Sequence, residues 1–326
     1  MSQFCWGIIG TGYIAKAFAE DIKFLSGHCV GAVGSRSEEN ARTFSQTFGG
    51  VGYSSYEALV NDPKVHAVYV ATPHTSHKEN VLLALKAGKP VLCEKPFAVN
   101  VEQVIEMIQV AKENGVALME AMWSRFLPHY GQVRQIVESG ILGPIRMIQA
   151  DHGQRLADQK INRLVDPNLA GGALLDLGIY PVSFAHMILG KPNKITASGV
   201  LTDEGVDART SIILDYDNGA QAILNTTMIE QTPTRAVVAG LNGWLDIDRT
   251  FYTPADMKIS LYDGTVTNIP NKYLGHGLRE QAEIFRLLVE SEKLESEILN
   301  WQSTLEIMQI LDTVRNQISL KYPFES

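Results

Sequence analysis

The 326-residue sequence is poor in the features that would set it apart from ordinary globular proteins. It has only three cysteines, too few and too widely spaced for a disulfide-stapled scaffold. Cys5, Cys29 and Cys93 each lie in or beside an apolar run and are expected as reduced core thiols, which fits a reducing cytosol. Positive charge is in deficit: 28 Lys and Arg stand against 36 Asp and Glu, a formal charge of −8. That balance argues against nucleic acid as the main partner and leaves room for local basic pockets. No window of about 18 residues is both apolar and free of charge. The stretch Met1 to Trp6 lacks the basic, apolar and small-residue segments of an export leader, so neither a membrane nor export is indicated, and a cytoplasmic protein is expected. Internal repeats, low-complexity tracts and long linkers are missing as well. What is present is 45% hydrophobic and 20% charged residues, in a length that suits two domains.

Over roughly the first 120 residues, short apolar runs alternate with amphipathic segments, the pattern of β-α units feeding a parallel sheet. Strands are expected at Cys5–Ile9, Cys29–Gly34, Ala67–Ala71, Pro90–Cys93 and Val116–Glu120. Ser54 with Glu57 and Ser76 with Glu79 fit the capping box that starts a helix, and Asn100 with Gln103 is a looser version. After Met122 the texture changes. Helices are expected near Gln132–Ser139, Ala173–Leu189, Leu278–Ser291 and Thr304–Ile318. Between them lie Ile195–Leu201, Thr210–Tyr216, Ala220–Met228, Ala236–Ala239, Trp244–Ile247, Lys258–Tyr262 and Thr265–Ile269, separated by turn signals such as Asp217-Asn218-Gly219. Such closely spaced hairpins favour an antiparallel sheet.

The chemistry starts at Gly10-Thr11-Gly12-Tyr13-Ile14-Ala15, which follows the first strand directly and opens a helix. In that context Gly10 makes the tight turn, Gly12 lets the backbone approach a pyrophosphate, and Ala15 permits close helix packing, with free N–H groups at the helix start facing the ligand. A tight turn without ligand is the bland alternative. Where an NAD site usually places an acidic residue, the second strand ends in Ser35-Arg36-Ser37. A guanidinium flanked by hydroxyls suits a 2′-phosphate, so NADP is favoured and NAD is possible. Arg36 stacked on adenine or simply solvated, and Ser37 capping the next helix, are the other readings.

Further motifs follow: Ala71-Thr72-Pro73-His74-Thr75-Ser76-His77, Glu94-Lys95-Pro96, Met122-Trp123-Ser124-Arg125-Phe126, and Gly171-Gly172-Ala173-Leu174-Leu175-Asp176-Leu177-Gly178-Ile179-Tyr180-Pro181. With the glycine motif, in this order and spacing, they make the chain similar to the glucose-fructose oxidoreductase/inositol dehydrogenase (Gfo/Idh/MocA) family over nearly its whole length. Within the family it resembles the dihydrodiol dehydrogenase and NADP-dependent xylose dehydrogenase branch. The resemblance implies an α/β protein. A doubly wound parallel Rossmann sheet in residues 1–122 would precede an α+β domain in residues 123–326, whose large open, mostly antiparallel sheet carries the substrate pocket and a homodimer contact. It also implies cofactor contacts from Thr11, Tyr13, Ile14, Ala71, Thr72, Pro73, His74, His77, Glu94 and Lys95, and from Trp123 and Arg125 at the domain junction. Hinge packing for Trp123, a surface ion pair for Arg125 and a helix cap for His77 are the alternatives.

Lys95 of the Glu-Lys-Pro motif is placed by the resemblance beside nicotinamide and substrate hydroxyl, where an ammonium stabilises a developing alkoxide. Many members carry Asp-x-x-x-His where this chain has Asp176 and Tyr180. Tyr180 is therefore assigned as proton donor and acceptor. A phenol begins near pKa ~10, so a nearby cation is required, and Lys95 is the candidate. Asp176 would orient the substrate or the lysine, and would share a helix face with Tyr180 if Gly178 and Pro181 permit a continuous helix. Arg155, Arg163 and Tyr273 are expected to line the pocket. His74 and His77 lack the carboxylate or Cys companions of a zinc pattern, so no metal is expected. The reading is an oxidoreductase acting on a small cyclic polyol, sugar or dihydrodiol. A dinucleotide-binding regulator or sensor without turnover is the runner-up, and a dimer with a vestigial cofactor site stands third.

Overall fold

In a computed structural model describing residues 3–156 and 162–325, each apolar run of the N-terminal part is followed by a helix that returns the chain to the same sheet edge. The strands are β1 (Phe4–Ile9), β2 (His28–Gly34), β3 (Val51–Tyr53), β4 (Ala67–Val70), β5 (Val91–Glu94) and β6 (Leu118–Ala121). The helices are α1 (Tyr13–Asp21), α2 (Glu38–Phe48), α3 (Tyr56–Val60), α4 (His77–Lys86) and α5 (Val101–Asn114). All pairs are parallel, in the order β3-β2-β1-β4-β5-β6. The order reverses between β1 and β4, so their carboxyl ends flank the crevice where such sheets take ligands. Trp6, Phe18 and Tyr69 hold the middle of this core; Phe18 stacks on Tyr69 at 3.9 Å and meets Trp6 edge-on at 5.2 Å.

Local signals held in part. Ser37 Oγ accepts the Asn40 N–H as the cap of α2, and Asn100 accepts the Gln103 N–H at α5. At α3 the cap is Ser55, which accepts the Ala58 N–H, one residue beyond the expected Ser54. Ser76 makes no side-chain cap at α4. The expectation of three free thiols is corrected: Cys5 and Cys29 lie opposite each other in paired strands and form a disulfide, while Cys93 is free and buried.

The second unit contains α6 (Pro128–Glu138), β7 (Ile145–Gly153), α7 (Asn162–Val165), a π-helical turn (Leu174–Gly178) running straight into α8 (Ile179–Leu189), then β8 (Lys194–Leu201), β9 (Asp207–Asp215), β10 (Gln221–Thr227), β11 (Ala236–Gly240), β12 (Gly243–Ile247), β13 (Met257–Leu261) and β14 (Val266–Ile269). The sheet order is β14-β13-β12-β11-β7-β10-β9-β8, antiparallel except for the parallel pair β7 and β10. β7, which the sequence reading passed over, is the central strand. Its inward positions include Ala150 and His152 while Met147 points outward, so its hydrophobic alternation is weak.

The chain ends with α9 (Arg279–Glu290) and α10 (Trp301–Gln317). The two units comprise residues 1–126 with 274–305, and 127–273 with 306–326. The segment 274–305 thus packs with the Rossmann sheet, where the expected division gave it to the second domain. Buried polar groups of the first unit explain this. Asp21 accepts the Leu278 and His276 N–H groups at 2.7 and 2.9 Å, His28 meets Glu283 at 2.8 Å, and Trp301 Nε1 donates to Leu118 O at 2.9 Å.

Candidate active site

In the first unit the expected site residues gather at the carboxyl edge of the parallel sheet. Gly10 leaves β1 with φ +110°, and a Cβ there would lie 2.5 Å from Ala71 O at the end of β4. Gly12 differs: its backbone is extended and a Cβ would meet nothing within 4 Å. The fold therefore needs glycine at Gly10 and leaves open space at Gly12, directly before the unpaired N–H groups of the first turn of α1. Ala15 is fully buried, consistent with close helix packing. These residues fit a dinucleotide pyrophosphate. At the end of β2, Ser35 Oγ accepts the Ser37 N–H at 3.2 Å, and exposed Arg36 lies near enough to Tyr56 to oppose the upward pull of burial on its phenol.

After β4 and β5, two turns are tied together. His77 is fully buried, with Nε2 2.9 Å from Thr72 O and Nδ1 2.9 Å from Pro96 O; burial pulls its pKa down. Its ring links the Ala71-Thr72-Pro73 turn to the Lys95-Pro96 turn and does not cap α4. Asn80 Nδ2 donates to Thr72 Oγ1 at 3.1 Å. Glu94 bonds the Tyr69 hydroxyl with one oxygen and accepts the Lys95 N–H at 3.2 Å with the other. Glu120, on β6, accepts the Phe97 N–H at 3.3 Å and the Thr304 hydroxyl at 2.9 Å. Burial raises Glu120 to about 7, against those two hydrogen bonds and the Arg125 charge. The backbone on both sides of Lys95 is thus held by a carboxylate, while the lysine side chain is half-buried. His74, Trp123 and Arg125 are all under 9% exposed, so Arg125 is no surface cation; it also donates to Ile298 O at 3.4 Å.

In the second unit the expected site residues lie on the π turn and α8. Gly178 and Pro181, either of which could have broken the helix, do not interrupt it. Pro181 falls in the first turn of α8, where the missing N–H costs little, and the wide turn before it carries the chain past Gly178. Asp176 and Tyr180 are each 6% exposed. Arg163, expected to line a pocket, pairs with both Asp176 oxygens at 3.2 and 3.3 Å. Arg155 lies exposed beyond β7, and the Tyr273 N–H donates to Asn271 at 2.9 Å.

Around Tyr180 stand three residues that the sequence reading missed. Tyr252 packs on Tyr180 at 4.3 Å between ring centres and on His152 at 4.3 Å, and His152 meets Tyr180 edge-on at 5.3 Å. The Gln154 amide donates to His152 Nε2 and to the Tyr252 hydroxyl, both at 2.8 Å. Leu177 O can only accept, so the 3.1 Å contact with His152 Nδ1 fixes the Nδ1–H tautomer. Tyr252 is aimed by its neighbour, because Phe251 is fully buried and its carbonyl meets His129 Nε2 at 3.2 Å. His152 sits on the unrecognised β7 and Gln154 directly follows it; the adjacent aromatics Phe251-Tyr252 were the local signal in that turn.

Lys95 belongs to the first unit, Tyr180 and Asp176 to the second.

Two family descriptions match the chain in order. Residues 4–122 match an oxidoreductase family with an NAD-binding Rossmann fold, and residues 130–246 match the Gfo/Idh/MocA C-terminal domain. The chain is 37% identical over 331 residues to the mouse protein named trans-1,2-dihydrobenzene-1,2-diol dehydrogenase, covering 98% of each, and 36% identical to its Xenopus laevis counterpart over 328 residues, 98% and 99%. Among solved structures, a 3-ketoreductase from Actinomadura kijaniata in complex with NADP and TDP-benzene superimposes with TM-score 0.88 at 28% identity, covering 97% of this chain and 98% of that one. An aldose-aldose oxidoreductase from Caulobacter crescentus, complexed with glycerol, does so with TM-score 0.88 at 26% identity and the same coverage. The chain belongs to the Gfo/Idh/MocA family of NAD(P)-dependent oxidoreductases.

Proposed function

We propose that this chain is an NADP(H)-dependent dehydrogenase or reductase that interconverts a secondary alcohol and a carbonyl on a small cyclic polyol, sugar or dihydrodiol. The observation that carries the reading is the setting of Tyr180: a buried phenol near a helix start, packed against both His152 and Tyr252, one turn from the Asp176–Arg163 ion pair. Gly12 and the first turn of α1 would hold the pyrophosphate, with Arg36 and the Ser35 and Ser37 hydroxyls at the 2′-phosphate. The nicotinamide, when bound, accepts or supplies the hydride. Tyr180 takes or gives the hydroxyl proton, and Lys95 supplies the positive charge that makes a phenolate accessible near neutral pH. Asp176, neutralised by Arg163, keeps the helix start in register. The relatives' names, a diol dehydrogenase, a 3-ketoreductase and an aldose-aldose oxidoreductase, support a polyhydroxylated ring as substrate.

We also assign the open face of the second sheet to a homodimer contact. Ile213 and Ile223, directly opposite each other on β9 and β10, are 37% and 39% exposed, with Met147 and Val200 exposed on neighbouring strands.

The test is a fluorescence titration with NADPH and NADH, followed by a turnover screen of cyclic polyols, aldoses and dihydrodiols. Tyr180→Phe and Lys95→Met are expected to lower turnover by at least 100-fold, an order of magnitude set by general acid-base catalysis, with nucleotide affinity largely kept. Full turnover in Tyr180→Phe would move the proton elsewhere. Tight nucleotide binding with no turnover of any compound would favour the regulator or sensor.

A further inference from the structure

The helix start that carries Asp176 and Tyr180 has no side-chain cap from its own N-terminal residue, Ala173. The cap comes from Asp207, at the first position of β9 and fully buried. Its Oδ2 accepts the Leu174 N–H at 2.8 Å and the Thr210 hydroxyl at 3.2 Å. Its Oδ1 has no hydrogen-bond partner among the described residues and lies against Gly172, where a Cβ would overlap it. Gly172, at φ +113°, is glycine for its backbone and for this contact. The preceding peptide is clamped as well: the Tyr322 hydroxyl donates to Gly171 O at 2.9 Å. Arg315 lies over the Tyr322 ring at 5.1 Å and is itself held by Asp312 and Glu325.

We propose that Asp207 is a positioning residue for proton transfer at Tyr180, acting through the cap on Leu174, with its ionised form the active one. This rests on the reading of Tyr180 given above. A carboxylate at a helix start accepts a charge-assisted bond and opposes the positive end of the helix dipole, and a neutral acid does both more weakly. Burial raises Asp207 to about 7; the groups facing it are the Leu174 N–H and Thr210 hydroxyl, which favour the charged form, Arg315 from α10, which favours it too, and the Tyr322 phenol. The Asp312 and Glu325 carboxylates stand behind Arg315. The sign follows: the cap strengthens as pH rises through neutrality.

The experiment compares kcat of the full-length protein and Asp207→Asn from pH 5.5 to 8.5, with NADP and whichever of trans-1,2-dihydrobenzene-1,2-diol and xylose is turned over. The amide imitates the neutral acid. The wild-type to variant ratio is expected near one at the acid end and about fivefold at the alkaline end, with NADPH affinity unchanged. Thr210→Val, which removes a donor to the carboxylate, should move the midpoint of the wild-type kcat rise upward by roughly half to one pH unit. It decides the matter if Asp207→Asn fails to fold. A ratio that stays constant with pH, or an unmoved midpoint in Thr210→Val, would overturn the role of Asp207 alone. Full turnover in Tyr180→Phe, or an inactive wild type, would remove the reading beneath it.

Discussion

Gly10 and Gly12 are two residues apart in one motif, and the structure separates what each does, so the same substitution should fail in two different ways. An alanine at Gly10 must adopt φ +110° and place its Cβ 2.5 Å from Ala71 O. The backbone term is about 1–2 kcal/mol and the overpacking about 1–3 kcal/mol, together roughly 2–5 kcal/mol of stability. For a unit of this size that lowers Tm by roughly 5–15 °C. At Gly12 the backbone is extended and a Cβ has open space, so alanine costs only about 0.5–1 kcal/mol as a poorer helix cap. On the proposed placement of the pyrophosphate, its methyl would stand between that group and the N–H groups of α1. Losing one charge-assisted hydrogen bond, about 1.5–3 kcal/mol, weakens NADPH binding roughly 10- to 100-fold. Thermal melts without nucleotide, paired with fluorescence titration, read the two effects independently. Gly12→Ala binding NADPH as the wild type does would refute the placement of the pyrophosphate, and Gly10→Ala melting with the wild type would refute the turn.

Arg36→Ala should weaken NADPH roughly tenfold or more and leave NADH unchanged, since a charge-assisted bond to the 2′-phosphate exists only with the former; equal losses in the two titrations would exclude that contact. Burial lifts Glu120 from the ordinary carboxyl value of about 4.5 to about 7, so its neutral form is favoured in the fold. The stability it lends is complete below the unfolded pKa and is lost as pH rises through about 7, an effect on the order of 3 kcal/mol. Melts of Glu120→Gln and wild type from pH 5 to 8 should therefore diverge, the variant gaining relative to wild type, and a constant difference would show that Glu120 does not titrate there. Ile213→Asp with Ile223→Asp should turn a dimer into a monomer on sizing at micromolar concentration; a monomeric wild type would dismiss the sheet contact.

What was legible in the sequence is what short-range physics decides. The β1-glycine-α1 unit reads correctly because turn, strand and helix start occupy adjacent residues, and Ser37 could be identified as a cap from its own position. The hairpin strands of the second sheet read almost as well, their turns lying between them. The failures share a cause. β7 pairs with β10 and β11, both far along the chain, and its inward side chains are too small or polar to betray it. Segment 274–305 owes its place to Asp21 and His28, more than 250 residues earlier, whose need for buried partners leaves no local trace. Tyr180 shows the same division within one residue. Its position in the Asp176–Tyr180 pattern was visible, but its wall of His152, Gln154 and Tyr252, and the Asp207 cap 33 residues from Leu174, exist only once the sheet has formed. A motif marks the proposed reacting group, and the groups proposed to tune it are supplied by tertiary structure. Substrate choice is therefore expected to vary at positions such as Gln154 and Tyr252, where no motif constrains the chain, more readily than at Lys95 or Tyr180.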